Sequence, residues 1–194
     1  MRDYLKDLDL TSAQLAAVEA HYRSLVAWSP RTNLTAIKDP KEIARTLYAE
    51  SILLARTIPE ETQRVIDVGS GAGFPGVLVA ICRPRTAVIL VEADLKKSIF
   101  LQESTSHLPN IRVLRNRFEQ VTGTWDYLTS RAVAWSQISK HANTLADRVT
   151  LLTSRNQLPS LLADERWVWA EPTPIPWNGD HVVIEARRIT NPVR

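Results

Sequence analysis

Residues 65–76 read Val-Ile-Asp-Val-Gly-Ser-Gly-Ala-Gly-Phe-Pro-Gly, and no other stretch restricts the fold as strongly. Val65 to Val68 has the texture of a buried strand from a parallel sheet. Glycines follow at once at 69, 71 and 73, with a fourth at 76. Glycine adopts positive φ without steric cost and lets foreign atoms approach the backbone. The apolar stretch that runs on to about Cys82 completes a strand, a Gly-rich turn and a helix. Such a unit suits a nucleotide-like ligand over the carboxyl end of the strand.

The flanking sequence repeats this alternation. Thr11 and Gln14 form a capping box ahead of Leu15, Val18, Tyr22, Leu25 and Val26, and Pro30 ends that helix. Asp39-Pro40-Lys41-Glu42 starts a second helix, with Ile43, Leu47 and Leu54 on one face to about Thr57. After Pro59, strands are predicted over 64–68, 86–92, 111–114, 126–130 and 148–153. Helices intervene, one capped by Asp94 and running to about Ser106, another near Trp135 to Leu145. Alternating strands and helices imply βαβ units and a mainly parallel sheet covered on both faces. Arg166 to Trp169 and His181 to Arg187 read as a terminal β-hairpin joined by a Pro-rich loop. The expected fold class is α/β, Rossmann-like. An N-terminal helical cap is expected over 1–62 and a compact ligand-binding domain over 63–194.

Composition narrows the class further. With 194 residues, 44% apolar and 23% charged, the chain is an ordinary globular protein. It has no room for a cofactor domain and an equal substrate domain. The single cysteine, Cys82, excludes a disulfide framework and a Cys-based zinc cluster, and it fits a reducing, cytoplasmic setting. His21, His107, His141 and His181 are scattered without metal-ligand spacing, so no metal is expected. No apolar run reaches membrane-spanning length, and the charged start at Arg2 and Asp3 lacks a signal-peptide core. No membrane association is expected. Net charge is +3 at pH 7, and the positive excess lies beyond residue 62, beside the Gly-rich motif.

Gly71-x-Gly73-x-x-Gly76 also matches the dinucleotide fingerprint, and Glu92 lies about twenty residues beyond Gly71, where a ribose-binding acid belongs. Asp67, two residues before the first glycine, and Pro75, where the fingerprint helix should begin, weigh against a nicotinamide cofactor. S-adenosylmethionine explains the pattern better. It is cationic at sulfur and amino nitrogen, so acidic Asp67 would be favourable near its methionine part. Glu92 would accept hydrogen bonds from its ribose.

Absences narrow the methyl acceptor. Cys82 is poorly placed as the nucleophile that cytosine C5 methylation needs. The stretch after the fourth predicted strand, Ser130-Arg131-Ala132-Val133, lacks the Pro-Pro-aromatic turn common to exocyclic amino methylation. A ring nitrogen with a free lone pair remains, such as guanine N7, whose methylation requires no general base. Arg131 offers the fork that fits the guanine O6/N7 edge. Arg112, Arg115 and Arg117 alternate along and past a strand, where they suit either RNA phosphates or plain solvent. Trp125 and Trp135 flank Arg131 and suit core packing or, more sharply, stacking on a base.

Several of these residues occur together in one known family. Asn33-Leu34-Thr35, Ile66 to Gly76, Glu92 with Lys96-Lys97, Phe100-Leu101, Asn110-Ile111, Arg117 with Glu119, and Ser130-Arg131-Ala132 follow in order. In this the chain resembles the small-subunit (16S) ribosomal RNA guanine-N7 methyltransferase G family, also called the glucose-inhibited division protein B family. The resemblance implies a seven-stranded class I methyltransferase sheet whose last strand runs antiparallel. It implies S-adenosylmethionine as donor, S-adenosylhomocysteine as product, and a guanine of 16S rRNA near the decoding centre of the small ribosomal subunit as acceptor. By position, Asp67, Gly69, Gly71 and Gly73 would contact the methionine part, with Ser70 and Phe74 in the same cofactor-binding turn. Glu92 would take the ribose, and Phe118 and Glu119 would lie near the adenine. Arg131, beside the cofactor, and Arg117 would face the RNA and serve catalysis. A monomer is expected.

The substrate side departs from the family pattern. The family carries Arg-His and then Leu-Asp-Ser where this chain reads Thr46-Leu47-Tyr48-Ala49-Glu50-Ser51. Thr153-Ser154 stands for the family's Lys-Gly, and no basic residue occupies Gly179-Asp180. Two rival functions follow: a small-molecule N-methyltransferase, or a relative that holds cofactor or rRNA without catalysis.

Overall fold

The structure, a computed structural model, describes residues 1–189. Its centre is one sheet. Strands β1 (Arg64–Val68), β2 (Ala87–Val91), β3 (Ile111–Leu114), β4 (Trp125–Arg131) and β5 (Ala146–Ser154) are parallel. Strands β6 (Trp167–Trp169) and β7 (Thr173–Ile175) each pair antiparallel with the long β8 (Asn178–Arg188), which itself pairs antiparallel with β5. The order is β3-β2-β1-β4-β5-β8-β6, with β7 off that path. Seven strands thus form the expected sheet. The eighth, β7, lies inside the segment read as a Pro-rich loop, whose prolines hid a three-residue edge pairing.

The order reverses at β1, between β2 and β4, which opens a crevice at the carboxyl edge of the sheet. Alternation along each strand divides the core. Val65, Val88, Leu90, Tyr127, Leu152 and Val183 point to one face, and Ile66, Val68, Leu128, Val149, Leu151 and Ile184 to the other. The second face is covered by α7 (Trp135–Leu145) and α8 (Leu158–Leu162). There Trp135 stands edge-on to Trp167 and Trp169 at 5.9 and 5.1 Å and donates from its indole nitrogen to Asp164. Trp125 is buried in the same cluster. Both tryptophans are core residues.

The first face is covered by α5 (Gly76–Cys82), α6 (Leu95–Ser104) and the N-terminal helices. Short α1 (Arg2–Leu5) precedes α2 (Ser12–Trp28), whose capping box is formed: the Thr11 hydroxyl accepts from Gln14 N and the Gln14 side chain accepts from Thr11 N. The next helical run begins at α3 (Pro40–Glu42), where the Asp39 carboxylate accepts from Glu42 N at 2.8 Å. It ends with α4 (Glu50–Thr57). Between them, Ile43–Ala49 winds as a π-helix, which the apolar spacing did not announce. Leu47, Tyr48, Ile52, Leu54 and Ile58 are buried in the same cluster as the sheet residues of this face. Among the described residues, no helix is long and apolar enough to cross a membrane.

Ile52 tests whether α4 is part of this core. It is fully buried, so Ile52→Ala should cost about 2–5 kcal/mol in urea denaturation, with one cooperative transition retained.

Candidate functional site

Three chain segments meet at the carboxyl edge around the switch point. The first is the turn after β1. Its backbone is tied to β2, since Gly69 N and Ser70 N both donate to the Val91 carbonyl at 3.1 Å. Gly71 N donates to Glu92 Oε2 at 2.9 Å, while the other oxygen of Glu92 accepts from Asp94 N at 2.8 Å. Gly69, Gly71 and Gly73 all have positive φ. The turn closes where Gly73 N donates to the Ser70 carbonyl at 2.6 Å.

The second is the loop after β3. Glu92 N donates to the Leu114 carbonyl, so this loop leaves the sheet beside Glu92. Phe118 and Glu119 lie on a short 3-10 helix there. Glu119 is exposed, and the half-buried Phe118 ring stands edge-on to His141 at 5.4 Å. Arg112, Arg115 and Arg117 are all exposed.

The third is the end of β4. Ala132 has a φ of 59°, a conformation that strains any side-chain-bearing residue. Val133 then lies over the first turn so closely that a Cβ on Gly69 would stand 2.7 Å from its Cγ2. A cleft of about 320 Å³ opens beyond it, lined by Arg131 to Ala134, Leu152 to Ser154, Gln157 and His181.

The expected cofactor residues therefore separate into two groups. Gly69, Gly71, Glu92 and Glu119 present backbone or carboxylate at the surface of the crevice. Asp67, Ser70 and Phe74 do not, and Gly73 is buried with them. Asp67 is fully buried beneath the turn, where its Oδ1 accepts from Thr129 Oγ1 at 2.8 Å and its Oδ2 packs against Gly76. The Ser70 hydroxyl turns inward to the Asp67 carbonyl at 3.0 Å. The Phe74 ring packs edge-on to Tyr48 and His21, at 4.9 and 5.5 Å, because the N-terminal helices cover that side of the turn. These three residues support the turn from below and offer no surface to a ligand in this arrangement. Sequence position alone placed them in the turn and could not say which way they point.

Burial raises the Asp67 carboxyl from 3.8 to about 7, with Glu92 pushing the same way, and the neighbouring polar groups of Ser70, Thr129 and Gly76 oppose it. His21, also fully buried, accepts from or donates to the Tyr48 hydroxyl through Nδ1 at 2.8 Å, and burial lowers it from 6.5 to about 4. It is a neutral packing residue at neutral pH. Burial pushes the Cys82 thiol up to about 11, which makes it a poor nucleophile.

Arg131 does not point freely into the cleft. Its Nη2 donates to the Thr46 carbonyl at 3.1 Å, within the π-helix, and lies 3.5 Å from Glu50 Oε2. Its Nε is buried with no partner among the described residues. Glu50 is fully buried and also accepts from Asn178 Nδ2 and His181 Nδ1, each at 2.9 Å. The sequence marked Glu50 only as a departure and His181 only as one of four scattered histidines. The partners are 131 residues apart in sequence, and no local pattern links them.

The family described as rRNA small subunit methyltransferase G matches residues 14–155 of this chain. The chain belongs to this family. Among curated family members, the ribosomal RNA small subunit methyltransferase G of Polaromonas naphthalenivorans is 35% identical over 137 residues, covering 66% of this chain and 62% of the relative. That of Desulforamulus reducens is 36% identical over 137 residues, covering 66% and 57%. The matched stretch thus spans under two thirds of these relatives' own length. Solved structures agree on a class I methyltransferase fold. Magnesium protoporphyrin IX methyltransferase from Synechocystis PCC 6803 superposes with a TM-score of 0.64 at 16% identity, covering 93% of this chain and 99% of that one. A putative RNA methyltransferase from Pyrococcus horikoshii gives 0.57 at 17% identity, covering 88% and 97%.

Two outcomes test the support beneath the family's Gly-rich turn. At Gly73, whose φ is 92°, an added Cβ would meet Val77 Cγ2 at 2.5 Å, whereas at Gly71 the nearest atom would be 3.8 Å away. Gly73→Ala should therefore lower the melting temperature clearly more than Gly71→Ala, which carries only the φ strain of about 1–2 kcal/mol. Asp67 gives a pH signature. It holds its proton more tightly folded than unfolded, so its ionisation removes stability as pH rises from 3.8 to about 7. His21 acts with opposite sign, removing stability as pH falls from 6.5 to about 4. Asp67→Asn should gain on the parent as pH rises through the Asp67 window, by at most about 1.4 kcal/mol per pH unit. Urea midpoints at pH 4.5 and 7.5 (about these values suffice) will check it.

Proposed function

We propose that this chain transfers a methyl group from S-adenosylmethionine to N7 of a guanine in 16S rRNA near the decoding centre, releasing S-adenosylhomocysteine. The observation that supports it is a juxtaposition. Val133 joins the turn held by Glu92 to the cleft lined by Arg131, so that donor and acceptor sites would share one wall.

The residues present fit the cofactor. Glu92 is half-buried, and each of its oxygens keeps a second lone pair beyond the Gly71 and Asp94 bonds, as a ribose diol requires. Gly69 presents exposed backbone at the same edge. Bound there, S-adenosylmethionine would supply an electrophilic methyl on sulfonium. Glu119 and Phe118 border the site on the β3 side. Asp67 acts indirectly by holding the turn in shape. On the acceptor side, N7 carries no proton, so the protein needs no base. Its work is alignment, and Arg131 would hold O6 of the purine while the cleft walls fix its plane. The exposed Arg112, Arg115 and Arg117 would meet phosphates of the surrounding RNA.

The test is tritiated methyl transfer to 30S subunits from cells lacking this gene, with the product mapped as N7-methylguanine. Arg131→Ala should lower transfer by roughly 100-fold while leaving the dissociation constant for S-adenosylmethionine unchanged. Full transfer by that variant would remove Arg131 from the acceptor site. Absence of transfer by the parent protein would overturn the reading.

A further inference from the structure

The departures from the family pattern meet in space. Glu50 is bonded to two of the side chains that line the cleft with Thr153 and Ser154, those of Arg131 and His181. Its Oε2 receives His181 Nδ1 at 2.9 Å and stands 3.5 Å from Arg131 Nη2, while Oε1 is held by Asn178. Three separate elements, α4, β4 and β8, are thereby fixed to one carboxylate. His181 keeps 29% of its side chain exposed and Arg131 16%, and both line the cleft.

Arginine can only donate. A carboxylate can only accept, so Nδ1 of His181, 2.9 Å from Glu50 Oε2, takes the donor role, and in its uncharged form the ring then offers Nε2 as an acceptor. The cleft therefore sets a donor beside an acceptor. Guanine presents the complementary neighbours on one edge, an accepting O6 next to a donating N1–H. Adenine presents the reverse, a donating N6 amino group next to an accepting N1.

We propose that His181, oriented by Glu50 as a positioning residue, accepts from guanine N1–H while Arg131 donates to O6, so that this pair selects guanine over adenine. The inference rests on the function proposed above. It also adds to transfer. A purine methylated at N7 is cationic, and its N1–H is a stronger donor than before. The bond to Nε2 tightens as that charge develops, which favours the transition state over the bound substrate.

Binding of nucleosides to the parent protein, followed by calorimetry or NMR, needs neither cofactor nor turnover. Guanosine and inosine, which share O6 and N1–H, should bind alike, 7-methylguanosine tighter, and adenosine and 1-methylguanosine at least roughly 10-fold weaker. His181→Leu should abolish that ranking. In single-turnover transfer to 30S subunits it should be roughly 10- to 100-fold slow, with the dissociation constant for S-adenosylmethionine unchanged. His181→Gln, whose amide can donate to Glu50 and accept from N1–H, should recover part of the rate. Glu50→Gln should slow transfer at saturating RNA without weakening cofactor binding. Equal binding of adenosine and guanosine, parental transfer by His181→Leu, or no recovery by His181→Gln overturns the proposal. If the parent transfers to a guanine N7 while His181→Leu does so equally well, this inference alone falls. If the parent transfers nothing, the function proposed above falls with it.

Discussion

The turn after β1 is fixed by its neighbour strand, and most of the molecule is arranged around that attachment. Two backbone N–H groups share the Val91 carbonyl, and a third is taken by the Glu92 carboxylate. The end of β2 thus determines where the glycine backbone lies. The same carboxylate anchors Asp94, which in turn caps α6 through Lys97 N at 2.9 Å. One acidic side chain consequently sets the turn, the strand end and the helix start together. The glycines permit the positive φ values, but they do not choose among conformations. The hydrogen bonds from the β2 end do that, at the edge where the order of strands reverses.

The underside of the turn needs support of a different kind. Phe74, Tyr48, His21 and Phe100 form an edge-to-face aromatic cluster between the N-terminal helices and α6. Asp67 is buried close by, and among the described residues it has no cation beside it and its only side-chain hydrogen bond to another strand is from Thr129. Burying an ionised carboxylate there is unfavourable, and the group responds by holding its proton to about pH 7. An acid at this position is thus compatible with a packed core because it is neutral over much of its range. The N-terminal helices belong to the mechanics of the site, since the aromatic side chains they supply fill the space under the turn.

Legibility in the sequence followed the range of the interactions. The strand at 111–114 and the helix at 135–145 match the observed bounds, because apolar periodicity is a local signal. The Gly-rich turn and the place of Glu92 beside it were legible because both rest on short spacings. The π-helix at 43–49 was not, since Leu47, Tyr48 and Ala49 are buried together and keep no helical face pattern. Asp67, Ser70 and Phe74 were placed in the turn, but their inward direction was not legible. Which side of a turn faces the core depends on what packs beneath it, and here that is a helix from another part of the chain. Glu50 and His181 were invisible as a pair, for the same reason at longer range.

Glu50 organises the cleft separately from the Gly-rich turn. A fully buried carboxylate with three side-chain partners contributes little net stability, because its desolvation offsets much of the attraction. Its effect lies in orientation: losing one partner leaves an uncompensated charge, so the partners are held in one arrangement. Burial draws the Arg131 pKa down while Glu50 draws it back, which keeps the guanidinium charged against the wall of the cleft. None of these contacts passes through Glu92 or the glycine backbone. The family's histidine and lysine positions are occupied here by Leu47 and Thr153, yet the cleft retains a cation and an imidazole, brought from β4 and β8. Basic residues absent from the expected positions do not by themselves leave the cleft without polar groups. What counts is which donors and acceptors converge on the cleft, and a buried hub can supply that convergence from strands far apart in sequence.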